Sequence, residues 1–172
     1  MAVDVTSLPS WTGRAATRSL GENLVAIQVD FDGSKLVGAV AAGNHIGLCE
    51  LPFGATVLDC MFRATTGAGG VATGTIGVLG FTSYLDGAFT DNASVGNDVN
   101  GLMEACDMAS VVSQPIRQTA VAGALLGAKL DQRIFTDAAC LGKPLYITYE
   151  CADATTALTA VRGYFTFLVL CP

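Results

Sequence analysis

The sequence predicts a mainly β protein, a β-sandwich or jelly roll with an extended N-terminal arm and one short helix. Three observations predict it. Several segments alternate apolar and other residues with period two, the mark of strands buried on one side. Turn signals recur about every ten residues, drawn from 20 glycines and 5 prolines. Hydrophobic residues make up 51% of the 172-residue chain and charged residues 14%, against roughly 25% in an average globular domain, so part of the surface is neutral or apolar. A surface of that kind suits a protein that hides area against a partner. The length is most simply one domain with its own core.

Residues 1–22 read as the arm and residues 23–172 as a single sandwich domain. The arm has no sustained period. It holds Leu8-Pro9-Ser10-Trp11, with the one tryptophan of the chain, and then Arg14 and Arg18. Packed on its own domain, Trp11 would cover a sheet edge. Docked on a neighbouring subunit, Trp11 is the anchor and Arg14 and Arg18 are polar contacts, because Trp and Arg are enriched in interface hot spots.

Asn23–Phe31 alternates cleanly, with Val25, Ile27, Val29 and Phe31 on one face. Asp30-Phe31-Asp32-Gly33-Ser34 closes it as a turn capped by aspartates. The spelling hints at calcium, but no acidic residue closes a twelve-residue loop. Lys35–Ala41 reads as a weak strand and Ala42-Gly43-Asn44 as a turn. His45–Leu51 is a strand with Ile46 and Leu48 inward.

Pro52 cannot donate to a sheet and Gly54 admits backbone angles closed to other residues, so the chain turns at 51–54. From Ala55 alternation returns, with Leu58, Cys60, Phe62 and Ala64 on one face. Thr66–Gly70 is a loop. Thr75–Phe81 is the next strand, with Ile76 and Val78 opposite to Leu79 and Phe81 through a register shift at Gly77 and Gly80. Residues 82–98 are a polar excursion in which Asp86, Asp91 and Asp98 match no cation loop.

Asn97-Asp98 caps a short helix, with Val99, Leu102, Met103 and Cys106 at helical spacing, ended by Ser113-Gln114-Pro115. Residues 116–135 offer one or two strands, clearest at Arg133-Ile134-Phe135. Leu145, Ile147, Tyr149 and Cys151 share one face of a further strand. Ala152–Thr159 is a small-residue loop. Val161–Cys171 is almost wholly apolar and reads as a central strand buried on both faces.

The composition narrows the function. The net charge is -6 and the nine basic residues are scattered, so no nucleic-acid footprint exists. No secretory signal opens the chain, and no apolar stretch is long enough to cross a bilayer as a helix. Six cysteines stand at 49, 60, 106, 140, 151 and 171 without a CxxC pair, and read as buried reduced thiols acting as small hydrophobes. No metal or cofactor is expected. His45 is the one imidazole and has no nucleophile-elbow partner, which disfavours a hydrolytic triad. Glu50 and Asp59 could pair for glycoside chemistry, but surface-facing alternation explains them. The glycines at 67, 69 and 70 lack the following Lys-Ser or Lys-Thr of a phosphate loop.

One resemblance gathers these readings. Leu51-Pro52-Phe53-Gly54-Ala55-Thr56-Val57-Leu58-Asp59, a long strand, a loop and then Ile76-Gly77-Val78 follow the outline of small head proteins of tailed bacteriophages. The outline includes an early amphipathic strand before this segment and two apolar strands after it, separated by an Ala/Thr-rich loop. The chain resembles the capsid decoration, or cement, proteins of that group. The resemblance implies a non-enzymatic β-sandwich on the outside of an icosahedral head, often a homotrimer, that clamps adjacent subunits of the major capsid protein. It implies a virion protein made in the host cytoplasm, with no nucleic-acid or membrane partner. It supplies no catalytic residues. The six cysteines exceed what the outline leads one to expect. Two other classes compete. One is a head-fibre or host-attachment module using Tyr84, Asp86, Phe89 and Asp91, and the other is a small jelly-roll hydrolase.

Overall fold

The computed structural model describes residues 16–19, 23–36, 43, 45–69, 73–81, 98–109, 113–115, 123–151 and 158–172, with the backbone alone for 16–19 and 113–115. These residues form strands β1 (Ala16–Ser19), β2 (Leu24–Asp32), β3 (His45–Leu51), β4 (Thr56–Thr66), β5 (Thr73–Leu79), β6 (Asp98–Asp107), β7 (Ser113–Pro115), β8 (Leu145–Cys151) and β9 (Arg162–Leu170). One sheet has the order β1-β2-β9-β4-β7 and the other β3-β8-β5-β6.

Every pairing is antiparallel, and the partners follow a rule. β2 pairs with β9, β3 with β8, β4 with β7 and β5 with β6. Those are the pairs of one long two-stranded ribbon that reverses between β5 and β6. Rolling the ribbon up adds β4 against β9 and β5 against β8, and so closes two sheets. That is the jelly roll, with β1 added at the β2 edge. The sequence expectation of a sandwich or jelly roll is met.

The two sheets face each other across an aromatic core. Phe31 from β2, Phe62 from β4 and Phe165 and Phe167 from β9 are fully buried, as is Tyr149 from β8. Phe165 sits at the centre, with ring centroids 4.6 Å from Phe62, 5.8 Å from Phe31, 6.2 Å from Phe167 and 6.5 Å from Tyr149. Such ring pairs add stabilisation beyond their buried area. A smaller cluster of Leu79, Val99 and Tyr146, with Phe81 against it, is separate from the main core. Ile76 and Val78 belong to the main core. The split between Ile76/Val78 and Leu79/Phe81 is the one read from the sequence.

The Pro-Gly corner is as expected. Gly54 takes φ 89°, and the amide of Ala55 donates to the Pro52 carbonyl at 3.1 Å. At the end of β2, Asp32 caps a 3-10 turn over Gly33–Lys35. Its carboxylate accepts the Ser34 amide at 3.1 Å and hydroxyl at 2.7 Å, and pairs with Arg162 Nε at 2.8 Å. Lys35 therefore ends a turn and does not open a strand, and 37–41 lie outside the described residues.

Five other expectations need correction. The helix predicted after Asp98 is strand β6. Its pairing with β5 slips twice: between Gly74 and Ile76 the partner moves from Cys106 to Met103, and between Ile76 and Val78 from Met103 to Asp98. The extra residues on β6 put burial at Val99, Leu102, Met103 and Cys106, a spacing that imitates a helix turn. The segment ending in Pro115 is not a helix stop either; Ser113–Pro115 is β7, paired with β4.

In β4, a bulge between Val57 and Asp59 changes the phase, so Val57, not Leu58, shares the inner face with Cys60, Phe62 and Ala64. Arg133-Ile134-Phe135 is a turn, not a strand. The Asp131 carboxylate accepts the Arg133 amide at 2.9 Å, and its carbonyl accepts the amides of Ile134 and Phe135. Finally, β9 is central, between β2 and β4, but buried on one face. Phe165 and Phe167 are fully buried with Val169, while Tyr164, Thr166 and Leu168 are half-buried and Leu170 is exposed.

Candidate functional site

Of the residues named for an interface, Trp11 and Arg14 lie outside the described residues. Arg18 stands in β1 opposite Ala26. β1 lies within the segment 1–22 read as the arm, where it pairs with β2 as an edge strand of the five-stranded sheet.

Titratable chemistry gathers on the four-stranded sheet. His45 opens β3 opposite Glu150 of β8, and Glu150 also stands opposite Thr75 of β5. His45 Nε2 lies 4.0 Å from Glu150 Oε1. The Thr75 hydroxyl donates to the Val99 carbonyl at 2.8 Å and lies 3.5 Å from Glu150 Oε2. Thr148, two residues before Glu150, is fully buried between Gly47 and Gly77 of the neighbouring strands. Its burial had no signal in the sequence, since a threonine inside a strand reads equally well as outward.

His45 is fully buried although it alternates with the inward Ile46. Burial pushes its pKa down to about 4. The imidazole is therefore neutral at pH 7. The sign of the pH effect follows. Below pH 6.5 an unfolded chain takes up a proton on this ring, while the folded protein does not until about pH 4. Stability is full above that window and falls as pH drops through it, by roughly 3 kcal/mol at most. Thermal melts from pH 7 to 4 should show a falling melting temperature, and His45→Gln should flatten that slope. An unchanged slope would show that His45 is not responsible. The Asp32 carboxylate, held below its usual 3.8 first by the Ser34 hydroxyl, loses its contribution only at more acidic pH.

The thiols are equally withdrawn. Burial pushes the Cys49 thiol up to about 12, and Cys60 and Cys106 upward as well. The thiolate is the nucleophilic form, so these three are inert at neutral pH. Cys60, Cys106, Cys140 and Cys151 are buried and none of the six is in a disulfide, which agrees with the reading of small hydrophobes.

The two carboxylates considered for glycoside chemistry are not brought together. Glu50 is in the four-stranded sheet opposite Tyr146, to which it is hydrogen-bonded. Asp59 is in the other sheet opposite Leu168, and its carboxylate accepts the Cys60 amide at 3.0 Å. Asp30 accepts from the Gln28 side chain at 3.3 Å, and Asp32 is engaged in its cap and ion pair. Tyr84, Asp86, Phe89 and Asp91 lie outside the described residues. Among the described residues, no helix is long and apolar enough to cross a membrane.

No protein-family model and no curated protein matches the chain. Among solved structures, it is similar to a chain titled "Cyanophage Pam1 capsid asymmetric unit", at 16% sequence identity and a TM-score of 0.42, over 92% of this chain and 94% of that one.

Proposed function

We propose that the chain is a structural virion protein that binds the outer surface of a tailed-phage icosahedral capsid and stabilises contacts between major capsid subunits. The observation that carries the reading is the jelly-roll strand pairing, an architecture shared by viral capsid domains and lectins. A fold hosts many functions, so the side chains must narrow the choice. They favour contact over catalysis: the imidazole is buried and neutral, and the thiols of Cys49, Cys60 and Cys106 are held protonated. The charge-poor composition supplies neutral surface for a partner. The sequence outline from Leu51 to Val78 supports a decoration protein in particular.

The test is addition of the purified protein to capsid shells that lack it, followed by sedimentation and negative-stain imaging. The expected result is co-sedimentation, extra density outside the shell and greater resistance of the shell to heat. Failure to co-sediment would overturn the proposal, and density confined to fibres would point to an attachment module.

The protein acts as a homotrimer in this reading. In the Ala-Gly-Leu stretch Val121–Leu130, Leu125 and Leu130 are buried in their own domain and Leu126 is half-buried, so the stretch adds little support for an oligomer. The low charge content remains as support. Light scattering at micromolar concentration is expected to give a trimer; a clean monomer would remove this part of the proposal.

The N-terminal segment is the proposed lashing element, with Trp11 as anchor and Arg14 and Arg18 as contacts. Because Ala16–Ser19 pairs with β2, a deletion that tests the arm should stop at residue 15. The truncated protein is expected to keep its melting temperature and lose shell binding. Trp11→Ala should reproduce much of the loss, on the order of 2 kcal/mol. Arg14→Ala and Arg18→Ala should cost less if they remain near solvent. A lowered melting temperature with unchanged shell affinity would place Trp11 on its own domain instead.

A further inference from the structure

We draw no further inference here: the strongest candidate, the outward face of the five-stranded sheet around Tyr164, Leu168 and Leu170, carries nothing because nothing in the structure shows what covers it.

Discussion

Phe165→Ala is expected to be the most damaging single truncation in this protein, at a cost of about 4 kcal/mol. The ring is fully buried and lies within 6.5 Å, centroid to centroid, of Phe31, Phe62, Phe167 and Tyr149, which come from both sheets. Removing it loses the transfer free energy of the side chain and leaves a void. Four rigid rings on fixed strands cannot close that void without moving the sheets. Since domains of this kind are stable by about 5–15 kcal/mol, much of the margin disappears. Urea unfolding followed by tryptophan-independent circular dichroism would measure the loss. Thr166→Ala, on the outer face of the same strand, should stay within about 0.5 kcal/mol. Equal losses at 165 and 166 would contradict the assignment of faces in β9.

Gly77→Ala is expected to be nearly as costly, for a different reason. An added Cβ at Gly77 would overlap the Asp98 carbonyl oxygen and the backbone of Val99. Both belong to β6, whose extra residues lie over β5 at this point. Backbone atoms cannot rotate away as a long side chain can, so the strands must part. The expected loss is about 3 kcal/mol, at the upper end of overpacking effects. Gly69→Ala is the control. Gly69 has φ 75° and open space around it, so its cost is conformational alone, about 1 kcal/mol. If the two substitutions cost the same, close packing of β6 on Gly77 is not the reason for glycine there.

The strands that alternate without interruption were legible before the fold was known. β2 and β8 lie where period two places them; β3 and β5 were found despite register shifts in their pairing, β9 was found as an apolar run, and the corner at Pro52–Gly54 follows from two residue types. Two of the misreadings share one physical cause. Alternation reports a face only while the register holds. The bulges of β6 turned a strand into an imitation helix, and the bulge after Val57 exchanged Leu58 for Val57. β7 is three residues long and includes Pro115, too little pattern to register at all. At Arg133–Phe135 the deciding group was Asp131, whose carboxylate and carbonyl capture the following amides and close a turn. The residues of the candidate site were harder still. His45 is buried on a face that alternation leaves outward, and that depends on what lies over the sheet, which no local window contains. Double-sided burial of β9 was overcalled for the same reason: an apolar run says that a strand is central, but only the tertiary structure says whether its second face is covered.

The ribbon-like pairing also sets the order in which this protein can fold during synthesis. β9 fills the place between β2 and β4, and β8 fills the place between β3 and β5. Both are late in the chain. Until they leave the ribosome, β2, β3 and β4 have sheet edges without their principal partners, and each sheet lacks its middle. Domains dominated by such distant pairings fold slowly, and unpaired strand edges are sites of aggregation while they wait. The β5·β6 hairpin is the portion of the ribbon that can form early, because its two strands are consecutive. Nascent chains that stop before β8 should therefore need a chaperone to stay soluble, and acquisition of the native sheets should coincide with the release of β9.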